Sequence, residues 1–184
     1  QILNLRPDVT VVPIRGNVGP RLAKIGGEDA LDAVILAQAG LRRLGLDEAS
    51  SETLAPSLFP YAVGQGALGL EARAEDTAVI EVLKAIECPQ ARAEAEAERE
   101  MMHALGAGCS LPVGACATWQ DGRLTLHAQV TSIEGTERVV ADQSALPEQA
   151  RELGLSVAQI LKERGGVAIL EKSYRGHYPS FKSL

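Results

Sequence analysis

Cysteine is scarce in this chain: among 184 residues there are three, Cys88, Cys109 and Cys116. Their spacing offers neither a disulfide framework nor a Cys-x-x-Cys zinc pair, and so points to a reducing compartment. The three histidines, His103, His127 and His177, are scattered, and no metal site is expected. Long apolar runs are missing too. The stretch 33–39 is short and interrupted by Gln38, which gives no support to a membrane role. The opening Gln1-Ile2-Leu3-Asn4-Leu5 has neither a signal nor a transit pattern and no initiating Met, so an internal start is expected. Positive charge is in deficit, with 18 Lys and Arg against 24 Asp and Glu, a net charge of -6 and a pI near 5.1. That balance argues against a nucleic-acid surface. A dinucleotide fingerprint is absent as well: Gly64-Gln65-Gly66 lacks the third glycine, and no acidic residue is placed to hold a ribose.

What is present is a 46% hydrophobic content, enough for one ordinary domain or two small ones. Residues 9–14 predict a strand that opens through Arg15-Gly16-Asn17 into a short helix over 18–25. Residues 32–37 form a near-continuous apolar run, as in a strand covered on both faces, and together these pieces predict a parallel βαβ unit. A helical turn is expected over 40–46 and another strand over 67–73. Asp76 is a plausible N-cap for a helix that buries Val79, Val82, Leu83 and Ile86.

Cys88-Pro89 breaks the pattern and marks a boundary. Residues 90–105 predict a long Ala- and Glu-rich helix with Ala97, Met101 and Leu105 on one face. Three strands follow over 113–119, 123–132 and 137–142, joined by turns at Asp121-Gly122 and Glu134-Gly135. In the middle strand Leu124, Leu126, Ala128 and Val130 alternate with Thr125, His127, Gln129 and Thr131, so one face is buried. Pro147 opens a last amphipathic helix that turns Ala150, Leu153, Val157 and Leu161 inward, covers the sheet and stops at Gly165-Gly166. A short closing segment at 167–170 and a frayed or loosely docked tail over 173–184 complete the chain. The fold class is therefore a partial doubly wound α/β domain followed by a small α+β domain, a three-stranded antiparallel sheet covered by helices.

Two groups of residues carry chemistry. Arg15 sits at a strand-to-helix turn where free N–H groups favour an anion; Arg21 lies within reach of the same mouth, and Arg42 and Arg43 follow the second strand at its carboxyl end. Taken singly they read as solvated surface charges. Gathered at one crevice, three arginine forks would suit a ligand rich in carboxylates. The second group is Gly106-Ala107-Gly108-Cys109-Ser110-Leu111-Pro112-Val113-Gly114, a cysteine in a small-residue loop after a helix that carries Glu98-Arg99. The glycines leave the sulfur open to a bulky partner. From the residues alone Cys109 is either a small buried hydrophobe or a functional thiol, whereas Cys88 and Cys116 read as structural. Gly64-Gln65-Gly66 by itself reads as a tight turn.

Arg-Gly-Asn followed by Arg21, Ala62-Val63-Gly64-Gln65-Gly66-Ala67-Leu68-Gly69, and Glu98-Arg99 ahead of the cysteine loop occur in the order found in hydroxymethylbilane synthase, also called porphobilinogen deaminase. The chain resembles that family over nearly its whole length. The resemblance implies a dipyrromethane cofactor held by a thioether to Cys109. It implies that Arg15, Arg21 and Arg43 bind the acetate and propionate groups of the pyrroles, and that Gln65 and Gly66 contact cofactor or growing chain. It further implies a transferase that joins four porphobilinogen units, with loss of ammonia, into linear hydroxymethylbilane for tetrapyrrole synthesis in the cytoplasm or a plastid. Residues 1–66 would then be part of the second, periplasmic-binding-protein-like domain, 67–87 the return to the first domain, and 88–184 the third domain. The first domain, with its catalytic aspartate, is absent from this segment, which alone should be inactive and would need that domain, possibly as a separate chain. Pro20 and the loop from Gly26-Gly27 to Leu31 depart from the family pattern. The alternative is a non-catalytic carboxylate-binding module with an inert Cys109; a third reading is an interaction fragment.

Overall fold

A computed structural model describes residues 1–26, 31–108 and 111–177, with side chains of the last helix described as far as residue 173. It divides the chain into two units, residues 1–8 with 56–184 and residues 9–55. Among the described residues the helices are α1 (Ile2–Leu5), α2 (Val18–Leu22), α3 (Gln38–Arg43), α4 (Thr77–Ala85), α5 (Pro89–Ala104), α6 (Ala150–Glu163) and α7 (Gly166–His177). The strands are β1 (Val113–Gln120), β2 (Arg123–Thr131) and β3 (Arg138–Ala145), in the order β1-β2-β3 and antiparallel throughout.

The larger unit grows from the alternation in β2. Leu124, Leu126, Ala128 and Val130 are fully buried, and α5 and α6 close over that face with Ala97, Met101, Leu105, Ala150, Leu153, Val157 and Leu161. Each large side chain so buried contributes about 1.5–3 kcal/mol. Asp121 and Gly122 both take positive φ, 50° and 73°, the geometry that lets a two-residue turn follow the strands' twist. Pro89 opens α5 at a position where its missing N–H costs nothing. Gly154 lets α6 cross α5 closely: a Cβ there would stand 2.5 Å from the Ala97 carbonyl oxygen.

The chain's end departs from expectation. Residues 167–177 are not a short segment and a frayed tail; they belong to α7. Ile169 and Leu170 fall on the core, and the buried Ser173 Oγ donates to the Ile169 carbonyl, 2.9 Å away, so the apolar pair carries the helix onward. Residues 178–184 lie outside the described residues.

The strands expected at 9–14, 32–37 and 67–73 are not formed. Val11, Val12 and Ile35 are 58%, 47% and 59% exposed, and Leu68 and Leu70 90% and 60%. A strand needs a neighbour's hydrogen-bond ladder, and in the smaller unit the described residues offer one isolated parallel bridge, Ile25 with Leu31. The βαβ expectation is corrected accordingly. Helix α4 forms with Asp76 as its cap, accepting from the Val79 N–H at 3.2 Å. Its stripe is not buried, with Val82 and Ile86 65% and 67% exposed. Periodicity decides which face is apolar, while burial depends on what packs against it.

Candidate functional site

In α5 the inward positions Ala93, Ala97 and Met101 turn the next residue, Glu98, toward the outer edge of β1. That edge carries backbone donors with no strand beside them. The Ala115 N–H is taken by the Tyr61 carbonyl at 2.8 Å, and the Ala117 N–H by Glu98 Oε1 at 2.9 Å. Glu98 Oε2 accepts from the Gly64 N–H at 2.7 Å. Burial pushes the Glu98 carboxyl above its usual range, the Gly64 and Ala117 amides pull it down, and the charge of Glu94 adds to the upward push.

The Gly64 contact fixes one end of a pair of tight turns. Gln65 N–H donates to Ala62 at 2.9 Å and Ala67 N–H to Gly64 at 3.1 Å, with Gly64 and Gly66 at φ 72° and 87°. Only glycine holds such angles without strain. Gln65 stands exposed between them, its side chain without a hydrogen bond among the described residues. Gly114 admits this segment against β1, since a Cβ there would lie 2.8 Å from the Pro60 carbonyl oxygen.

Cys109 lies outside the described residues. Its described neighbours Gly106 and Gly108 are exposed, and a Cβ built on either meets nothing within 4 Å. Both glycines precede Cys109 in the chain, and each faces open space. Cys116 is a poor alternative. It is buried in β1, and burial, together with the charges of Glu98 and Glu94, pushes its thiol up and away from the nucleophilic thiolate. Cys88 is exposed at the start of α5, ahead of Pro89 and away from the glycine loop.

In the smaller unit, Arg15 and Arg43 are exposed and form no ion pair among the described residues. Arg21 is half-buried, and its Nε donates to the Gly16 carbonyl at 2.6 Å. Arg42 turns to Asp47 at 3.4 Å. Gly40 of α3 packs against Val18 of α2, with its Cβ position 3.6 Å from the Val18 side chain. The structure thus joins the segments that bear Arg21 and Arg42-Arg43, engages the Nε of Arg21 with Gly16, and sets Arg42 in an exposed ion pair with Asp47. Gln65 and Gly66 belong to the other unit. The role of Glu98 was missed from sequence. Its signal was a carboxylate set directly between the core positions Ala97 and Met101, where a helix that tolerates an acid must satisfy it.

Comparison with known proteins agrees with the resemblance. The family model "Porphobilinogen deaminase, dipyromethane cofactor binding domain" matches residues 1–81, and "Porphobilinogen deaminase, C-terminal domain" matches residues 92–163. The porphobilinogen deaminase of Desulforudis audaxviator is 45% identical over 176 residues, covering 96% of this chain and 57% of that protein. That of Syntrophobacter fumaroxidans is 42% identical over 175 residues, covering 95% and 56%. The chain therefore spans a little over half the length of these curated relatives. With both family models matching in chain order and such relatives aligned along nearly its whole length, the chain belongs to the porphobilinogen deaminase family.

Proposed function

We propose that this chain is the cofactor-holding and C-terminal portion of a hydroxymethylbilane synthase, a transferase that condenses four porphobilinogen units with loss of ammonia into linear hydroxymethylbilane. The observation that carries the reading is the match to a dipyrromethane cofactor-binding domain over residues 1–81, the stretch that holds Arg15, Arg21, Arg43, Gln65 and Gly66. The open space at Gly106 and Gly108, just ahead of Cys109, supports a bulky substituent there. When bound, dipyrromethane supplies the pyrrole end from which a chain can grow.

Each residue then has a task that its chemistry suits. The Cys109 sulfur forms a thioether, a bond that does not exchange as a thioester would. Arg15 and Arg43, without an ion pair among the described residues, take substrate or cofactor carboxylates in two-pronged hydrogen bonds. Arg21 keeps its terminal nitrogens for the same task while its Nε holds Gly16. Gln65 presents an amide that can both donate and accept. The catalytic aspartate is supplied by the part of the relatives that lies beyond this chain's span, whether in the same or a separate polypeptide.

The domain reading is 1–66 as part of a periplasmic-binding-protein-like second domain, 67–87 as the return to the first, and 88–184 as the third. No helix among the described residues is long and apolar enough to cross a membrane. With free cysteines and acidic charge, the proposed setting is the cytoplasm or a plastid interior, with porphobilinogen and the growing polypyrrole as ligands. Intact mass with peptide mapping tests the assignment. A two-pyrrole adduct on Cys109 is expected once the preceding segment and porphobilinogen are supplied. A chain that stays unmodified while binding carboxylates reversibly would establish a non-catalytic module instead.

A further inference from the structure

We propose that Glu98 is a positioning residue whose carboxylate ties the turn bearing Gln65 to the helix and strand that flank the Cys109 segment. The roles of Gln65 and Cys109 rest on the function proposed above; the tie itself rests on geometry. One carboxylate joins three pieces of chain. It stands on α5, which leads toward the cysteine segment; one oxygen holds Ala117 on β1, which leaves that segment; the other holds Gly64, next to Gln65.

Three observations separate positioning from general stability. The apolar core lies on the helix-covered face of the sheet, where Leu124, Leu126, Ala128 and Val130 are fully buried without help from Glu98. The two amides it accepts from stand at the outer edge of β1 and in a turn, outside the hydrogen-bond ladders of the sheet. Burying a carboxylate with no ion pair among the described residues is costly. What that cost secures is a defined location for a turn that two positive-φ glycines would otherwise leave soft.

Amide hydrogen exchange in this chain reads the tie directly. Glu98→Gln keeps the side-chain length and one acceptor but sets an NH2 group against one amide; Glu98→Ala removes both contacts. Exchange at Gly64 or Ala117, whichever meets the NH2 group, is expected to rise about tenfold in Glu98→Gln, the scale of one lost charge-assisted hydrogen bond, and at both in Glu98→Ala. Leu126 and Ala128 should keep their protection. If Glu98→Ala does not fold, Glu98→Gln alone decides. In the complete enzyme Glu98→Gln should retain the two-pyrrole adduct and lose about tenfold in kcat, and adding Gln65→Ala should cost little more, because both changes disable one arrangement. Unchanged exchange at both Gly64 and Ala117, or losses that simply add, would overturn the proposal. A wild-type enzyme without any adduct would overturn the functional reading instead, and Gly64 exchange would still judge the tie.

Discussion

Gly154 sits where α6 crosses α5, and replacing it with alanine sets two effects of opposite sign against each other. Helix propensity alone favours alanine by about 1 kcal/mol. Against that, the new Cβ would stand 2.5 Å from the Ala97 carbonyl oxygen and 2.9 Å from both the Met101 nitrogen and the Glu100 Cβ. The oxygen and nitrogen belong to the α5 backbone and cannot rotate away. Restoring ordinary contact requires the helices to part by roughly 1 Å, which opens the packing of the fully buried Met101 and Val157 and places the cost near the upper end of about 1–3 kcal/mol for an overpacked core. The net is a loss of about 2 kcal/mol. For a chain of this length that lowers Tm by about 4–8 °C, read by circular dichroism melting. Gly69→Ala is the control. No atom lies within 4 Å of its Cβ position, so it should melt at or slightly above the parent through its effect on the unfolded chain. A Gly154→Ala melt at or above the parent's would refute the reasoning, since it would mean that propensity outweighs the crossing.

Asp76→Ala removes the acceptor for the Val79 N–H and should cost α4 about 1 kcal/mol, seen as faster amide exchange at its first turn with the sheet unaffected. Glu98 gives a pH signature. Because its folded value is raised above the ordinary 4.5, its contribution to stability is complete below that pH and is lost as pH climbs through the raised value. Chemical denaturation should therefore show wild type losing ground to Glu98→Gln on going from below pH 4.5 toward neutrality, and a gap independent of pH would contradict the burial argument. In the complete enzyme Cys109→Ala should abolish the covalent adduct while Cys116→Ala retains it. Loss of the adduct in the second variant by intact mass, with the first unaffected, would move the anchor to β1.

The C-terminal part was legible because its signals are local. Alternation in β2, the Asp121-Gly122 turn and the spacing of Ala97, Met101 and Leu105 each specify a surface, and the structure pairs those surfaces with one another. The stretches 9–14, 32–37 and 67–73 carry equally apolar signals but depend on ladders from elsewhere, so Val12, Ile35 and Leu68 remain exposed rather than paired. The same dependence leaves the stripe of α4 uncovered although Asp76 caps it as read. The far end failed in the opposite direction. The polar stretch from Ser173 reads as a tail, yet Ser173 returns its hydroxyl to the Ile169 carbonyl and stays in a helix, a local solution that composition conceals.

The site divides along the same line. Arginines and glycines announce themselves by type, because only a guanidinium fork or a positive-φ backbone does what they do. Whether an arginine is free is a question of neighbours: Arg42 is drawn to Asp47 five residues on, while Arg43 beside it has no such partner among the described residues. Glu98 announces no role by type in an Ala- and Glu-rich helix; its one signal is its place between the core positions Ala97 and Met101. Its meaning comes from the unpaired edge of β1, a deficit that exists only once the three-stranded order places β1 outermost. An edge strand must find acceptors for its outward N–H groups, and here one is supplied by a turn and the other by a buried carboxylate that holds the same turn. The solution to a folding problem, the open edge, thereby also determines where Gln65 stands.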